Sequence, residues 1–229
     1  MIESFVLGAV AQLSLLLSGL VVFRIKVPTR IIGDLAAFGA GGLIAAVAKD
    51  LVPEAAELQG VQVALWMLIG AGALMAGDKL VEKKFGSEGV GGVLGIVVGS
   101  IVDGVPESII FGIQLARGAP ISAAFIAAVF VSNVPQALAP SAGLAENGWR
   151  WTRVATLWLR VVLACGVASA LGYLAATAIG AVNGSRMAAF AAGGILAMVT
   201  DSLIPFAVER SKTAGLWTVI GFCAALAMA

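Results

Sequence analysis

Charged residues in this chain fall in clusters separated by uncharged runs, and that spacing constrains the fold more than any other feature. A membrane helix needs about 20 apolar residues, because each residue advances about 1.5 Å through a hydrocarbon core about 30 Å thick. Residues 4–23, 58–77, 118–145 and 161–185 carry no charge, and 213–229 forms a shorter uncharged run at the C-terminus. Three further runs, 35–48, 89–102 and 187–200, end at or next to an acidic residue and reach spanning length only by burying charge. Together they predict an all-α polytopic membrane protein, a single transmembrane domain over 1–229 with helices near 4–23, 32–52, 58–77, 89–116, 119–143, 153–178, 187–208 and 213–229.

Composition removes the other broad classes. Hydrophobic residues make up 60% of the chain and charged residues 12%, against about 25% charged in an ordinary soluble domain. With 14 Lys and Arg against 13 Asp and Glu, the net charge of +1 offers no basic field for nucleic acid. The chain has no histidine, which removes imidazole ligands, His proton relays and His-activated nucleophiles. Cys165 and Cys223 lie singly in apolar runs and read as small buried apolar residues.

Loop charge sets an expected orientation. Loops after the odd-numbered helices hold ten basic residues (Arg24, Lys26, Arg30, Lys79, Lys83, Lys84, Arg150, Arg153, Arg210 and Lys212), whereas the even-numbered loops hold Lys49, Arg117 and Arg186. The positive-inside rule then puts both termini outside the cytoplasm, as an integral protein of a bacterial-type cytoplasmic membrane. Positive charge follows the first apolar run and does not precede it, so a cleaved signal peptide is not expected.

An internal repeat sharpens this plan. Residues 41–55, GGLIAAVAKDLVPEA, align without a gap to 193–207, GGILAMVTDSLIPFA, with seven of fifteen positions identical. Because the two segments cross in opposite directions, the relation predicts an inverted-topology repeat, as in many secondary transporters. Asp103-Gly-Val-Pro-Glu-Ser108 likewise corresponds to Ser132-Asn-Val-Pro-Gln-Ala137. Pro106 and Pro135 each remove a backbone N–H and free a carbonyl four residues earlier, at Val102 and Val131, so helices 4 and 5 are expected to break where they meet. The result is a 3+2+3 arrangement: three helices, two central ones and three inverted copies.

Asp103 and Glu107 stand mid-span, one turn apart on one face of helix 4. Intramembrane carboxylates are costly and mark function by default, the bland alternative being protonation or pairing with Arg160. Ser132, Asn133 and Gln136 read alone as interhelical glue, but their correspondence to the helix 4 motif turns them toward the same crossing. Arg160, roughly 10 Å past Arg153, is expected to pair with Asp201 at similar depth, leaving both helix 4 acids free. Lys49, Asp50, Glu54 and Glu57 at the end of helix 2 read as solvated helix-end charges, with an acidic vestibule for cations as the alternative.

With these residues in view, the chain resembles the ZIP (Zrt/Irt-like) family of divalent-metal transporters over nearly its whole length. The resemblance rests on Asp103-Gly104-Val105-Pro106-Glu107, Ser132-Asn133-Val134-Pro135-Gln136 and the LxPEA-like ends of helices 2 and 7. It implies eight helices, both termini outside, a homodimer, and a metal site at the two proline motifs, where the family typically reads His-Asn-x-Pro-Glu and Gln-Asn/Asp-x-Pro-Glu. Here Asp103 replaces His, Gly104 replaces Asn, Gln136 replaces the second Glu, and Ser169 stands where helix 6 normally offers a Glu. The implied ligand set is Asp103, Glu107, Asn133, Gln136, Ser132 and Ser169, all oxygen donors. Such a set favours Mn²⁺, Fe²⁺, Mg²⁺ or Ca²⁺ over Zn²⁺ and holds one ion, as transported substrate and not as cofactor. The alternative is a divergent ZIP-fold protein that moves no divalent metal. An intramembrane aspartyl enzyme built on Asp103 and Asp201 ranks last, because no GxGD signature surrounds either residue.

Orientation is testable directly. Protease-cleavable tags fused at each terminus should be cut from outside intact cells or right-side-out vesicles, whereas protection of both would reverse the assignment.

Overall fold

The computed structural model describes residues 1–85, 89–118, 122–179 and 181–228, and nearly all of them are helical. The helices are α1 (Ile2–Val21), α2 (Thr29–Glu54), α3 (Gly60–Phe85), α4 (Gly89–Ala116), α5 (Ala123–Glu146), α6 (Trp151–Ile179), α7 (Ala181–Met198, continuing to Arg210) and α8 (Ala214–Met228). Seven are long and apolar enough to cross a membrane, and α8, with 15 residues, is shorter. No strand occurs among the described residues. The expected start of helix 5 at residue 119 and the last residue, 229, lie outside the described residues.

Local chemistry explains where the helices stop. Ser122 caps α5 by accepting a hydrogen bond from the Phe125 amide at 3.2 Å. At its other end Gly148 takes a left-handed φ of +77°, which lets the amides of Trp149 and Gly148 bond back to Leu144 and Ala145. Asp34 in the first turns of α2 accepts from the hydroxyls of Ser211 and Thr213, which fastens the start of α2 to the start of α8.

The central prolines behave differently from the expectation. Pro106 and Pro135 both lie inside continuous helices, so α4 and α5 are not broken there. Irregularity falls elsewhere. In α2 the backbone widens into a π turn at Val47–Leu51, just before Pro53, and α7 does the same at Val199–Leu203, just before Pro205. A proline ring clashes with the carbonyl four residues earlier, and a widened turn relieves that clash. The two π turns occupy matching positions of the aligned segments 41–55 and 193–207.

Glycine sets how closely the helices approach. A Cβ on Gly41 of α2 would strike the Thr218 carbonyl of α8, and one on Gly193 of α7 would strike the Met67 carbonyl of α3. Reciprocally, Gly221 of α8 faces the Phe38 carbonyl and Gly70 of α3 faces the Phe190 carbonyl. These pairs let backbones touch where apolar area alone gives little drive for association in lipid. Around them, Leu43, Leu51, Ile110, Phe111, Phe125, Ile195 and Met198 form the main buried core. The rings of Phe111 and Phe125 pack at 4.9 Å between centroids. The outward faces carry exposed apolar side chains such as Leu65, Leu68, Leu163 and Leu171, as a lipid-facing surface requires.

Gly193→Ala should therefore lower stability by at least about 1–3 kcal/mol, because α3 and α7 must separate to admit a methyl group. The readout is the thermal unfolding midpoint in detergent. Gly72→Ala, whose Cβ would meet open space, should leave that midpoint unchanged or raise it.

Candidate functional site

The site is built where α1, α4 and α5 cross. Glu107 on α4 is 1% exposed, and its Oε2 accepts a hydrogen bond from Nε2 of Gln12 on α1 at 3.0 Å. The Oε1 of Gln12 accepts from Nδ2 of Asn133 on α5 at 2.7 Å, and the same Asn133 amide also donates to Ser14 Oγ at 3.2 Å. One carboxamide thus joins the two motif helices. Gln12 is fully buried and sits where α1 is interrupted, with φ −89° and ψ 0°. There the Leu15 amide bonds to the Gln12 carbonyl at 3.0 Å, a tighter i to i+3 contact than an α-helix uses.

Beside this network, two acceptors have nothing to accept from. Oδ1 of Asp103 and Oε1 of Glu107 are both sealed from solvent and have no hydrogen-bond partner among the described residues, and Ser108 Oγ shares that condition. Buried polar atoms are almost always partnered, and an uncompensated carboxylate oxygen in a low-dielectric interior costs several kcal/mol. One turn apart on one face of α4, the pair is arranged to receive protons or a cation. Asp78 on α3 is half-buried and Asp201 in the π turn of α7 is exposed; the charge of Asp78 acts on Asp103 and that of Asp201 on Asp78.

The remaining expected ligands are placed differently. Gln136 is half-buried, and its Nε2 reaches Met198 Sδ at 3.9 Å. Ser132 donates to the Val129 carbonyl of its own helix at 3.0 Å and lies under Gly39 of α2. Ser169 bonds to the carbonyl and hydroxyl of Ser4, tying α6 to α1. The structure therefore joins Glu107 and Asn133 through Gln12, with Asp103 one turn from Glu107 on α4, and puts Ser132 and Ser169 into helix packing. Among the described residues no group of three or more His, Cys, Asp or Glu side chains converges as a metal cluster would.

Two residues at the crossing escaped the sequence reading. Gln12 was signalled only by its place, a lone amide with Ser14 and Ser18 inside the uncharged run 4–23. Cys165 is buried as expected, whereas Cys223 of α8 is exposed, and Cys165 abuts the site: a Cβ on Gly104 would lie 2.9 Å from its Sγ and 3.6 Å from Gln12 Nε2. The space that an Asn side chain at position 104 would need is filled by these two neighbours.

Arg160 corrects a further expectation. It points outward beside Leu159 and Leu163 and forms no ion pair with Asp201, which is itself exposed. Arg160 lies two residues, about 200°, around the helix from buried Trp158. At the opposite end of α4, Arg117 pairs with Glu54 at 3.5 Å and Glu57 at 3.3 Å and donates to Ser185 at 3.1 Å. These contacts lock α2, α4 and α7 together, so Glu54 and Glu57 do not form an open acidic vestibule. Between this latch and Glu107, the stacked Phe111 and Phe125 close the same face of α4.

Neither the protein-family models nor the curated proteins searched contain a match to this chain.

Gly104→Asn should lower the melting midpoint by the cost of overpacking, about 1–3 kcal/mol, because its Cβ already meets Cys165. Adding Cys165→Ala should recover part of that loss. Independent, additive losses would show that the two side chains do not compete for one space.

Proposed function

We propose that this protein is a ZIP-like secondary transporter that moves a divalent cation across a membrane toward the cytoplasm, with Asp103 and Glu107 as the principal ligands. The observation that carries this reading is the pair of buried, unpartnered carboxylate oxygens one turn apart on α4. Two ionised carboxylates balance a charge of +2. Hard oxygen donors and the lack of any imidazole favour Mn²⁺, Fe²⁺ or Mg²⁺ over Zn²⁺.

The proposed architecture has eight crossings, α8 included, both termini outside and a 3+2+3 inverted repeat. Its support is the matched π turns before Pro53 and Pro205 and the reciprocal glycine contacts of α2 with α8 and of α7 with α3. On this orientation the Arg117 latch and the Phe111–Phe125 pair close the outer side, and Asp78 and Asp201 lie on the cytoplasmic side of the site.

A second reading has one observation in its favour. No third anionic side chain joins Asp103 and Glu107 among the described residues, and an amide already occupies Glu107 Oε2. A membrane protein of the same architecture that moves no divalent metal fits those two facts.

Uptake of Mn²⁺, Fe²⁺, Zn²⁺ and Mg²⁺ into proteoliposomes decides between them. Wild-type protein should take up at least one ion, and Glu107→Gln should abolish that uptake, because one carboxylate then faces a doubly charged ion in low dielectric. Asp103→His should shift preference toward Zn²⁺ by adding a nitrogen ligand. Wild-type protein equal to empty liposomes for every ion would favour the second reading.

A further inference from the structure

Of the two Glu107 oxygens, Oε1 is unpartnered among the described residues and Oε2 is held by a neutral group. Gln12 Nε2 donates to Glu107 Oε2 at 3.0 Å, in a pocket where Gln12 is fully buried and Glu107 is 1% exposed. A carboxamide nitrogen carries partial positive charge, so it offers an ionised carboxylate the same kind of stabilisation as a cation, at smaller magnitude. A Lys or Arg in this place would be a permanent counter-ion and would shut the site to metal. Gln neutralises nothing, so the negative charge that attracts a cation remains.

Gln12 stands at the interruption of α1, where its own amide bonds to the Gly8 carbonyl at 3.3 Å and the Leu15 amide bonds back to the Gln12 carbonyl at 3.0 Å. Its other end is held by Asn133 Nδ2 at 2.7 Å, and Asn133 has a second acceptor in Ser14 Oγ at 3.2 Å. If the Gln12 carboxamide turns away, one of the two Asn133 amide hydrogens keeps Ser14 Oγ as its partner.

We propose that Gln12 is the resident competitor of the transported cation: its carboxamide donates to Glu107 Oε2 and must leave for a divalent cation to be held by both Glu107 oxygens. The proposal rests on the divalent-cation reading of Asp103 and Glu107. It makes Gln12 a positioning and affinity-setting residue that holds Glu107 ready and weakens ion binding by the strength of one charge-assisted hydrogen bond, so that the ion can be released. A residue that merely supports the fold weakens ion binding when it is removed. A competitor strengthens it.

Calorimetric titration of Mn²⁺ into the purified full chain in detergent separates these outcomes. Gln12→Met, similar in volume and without amide hydrogens, and Gln12→Ala should each bind Mn²⁺ about tenfold tighter or more than wild type, because no charged-group hydrogen bond has to be broken. Adding Glu107→Gln should abolish binding in every background. In the wild-type chain, where no substitution perturbs folding, isotope-edited infrared difference spectra on Mn²⁺ addition should show a shifted side-chain Gln carbonyl band. Unchanged or weaker Mn²⁺ binding by both Gln12 variants, or unchanged Gln bands, overturns the assignment of Gln12 alone if wild type binds and Glu107→Gln does not. Wild type and Gln12 variants that all fail to bind Mn²⁺ or Zn²⁺ overturn the divalent-cation reading with it.

Discussion

Two carboxylates on one face of α4, inside an apolar helical bundle, set the terms for the rest of the molecule. Each ionised group costs several kcal/mol in such surroundings unless something compensates it. Only part of that compensation is present: Gln12 serves one oxygen of Glu107, while Oε1 of Glu107 and Oδ1 of Asp103 stand without donors. Among the described residues no basic side chain pairs with either carboxylate. Arg160 lies on the outward face of α6, and Arg117 is committed to Glu54 and Glu57 at the far end of α4. On the proposed reading the transported ion supplies that positive charge.

Such partial compensation persists only if the helices around it are held rigidly. Glycine-mediated backbone contacts of α2 with α8 and of α3 with α7, together with the Ser4–Ser169 pair that joins α1 to α6, supply that frame with little polar side chain. Gln12 interrupts α1 at the crossing, and the π turn of α7 carries Asp201. Widened and tightened turns expose backbone groups that a regular helix would consume, and they are frequent at functional positions.

Positions along the chain were legible in the sequence, whereas positions around a helix were largely not. Charge spacing marked the apolar runs that form helices, since a bilayer measures length, although the third helix runs on to Phe85 and the seventh starts at Ala181, and the i, i+4 spacing placed Asp103 and Glu107 on one face. Arg160 and Asp201 show the limit: sequence spacing suggested a pair, but Arg160 projects outward beside Leu163, and no charge count encodes that angle. The prolines show another. Pro106 and Pro135 were accommodated in continuous helices, whereas Pro53 and Pro205 coincide with the π turns, because neighbouring backbone and not the proline alone decides where a helix yields. Gln12 was hidden because its partners, Glu107 and Asn133, are distant in sequence. Gly104 read as a lost ligand, and its reason, the bulk of Cys165 and Gln12, exists only in three dimensions.

The account's central claim is that the unpartnered oxygens of Asp103 and Glu107 form one cation site. The most direct measurement is an anomalous-scattering map of crystals of the protein loaded with Mn²⁺. It should show a single intramembrane peak within coordination distance of both Asp103 and Glu107, with the Gln12 carboxamide turned off Glu107. A peak elsewhere in the membrane region, or none there while Gln12 still donates to Glu107, would contradict it.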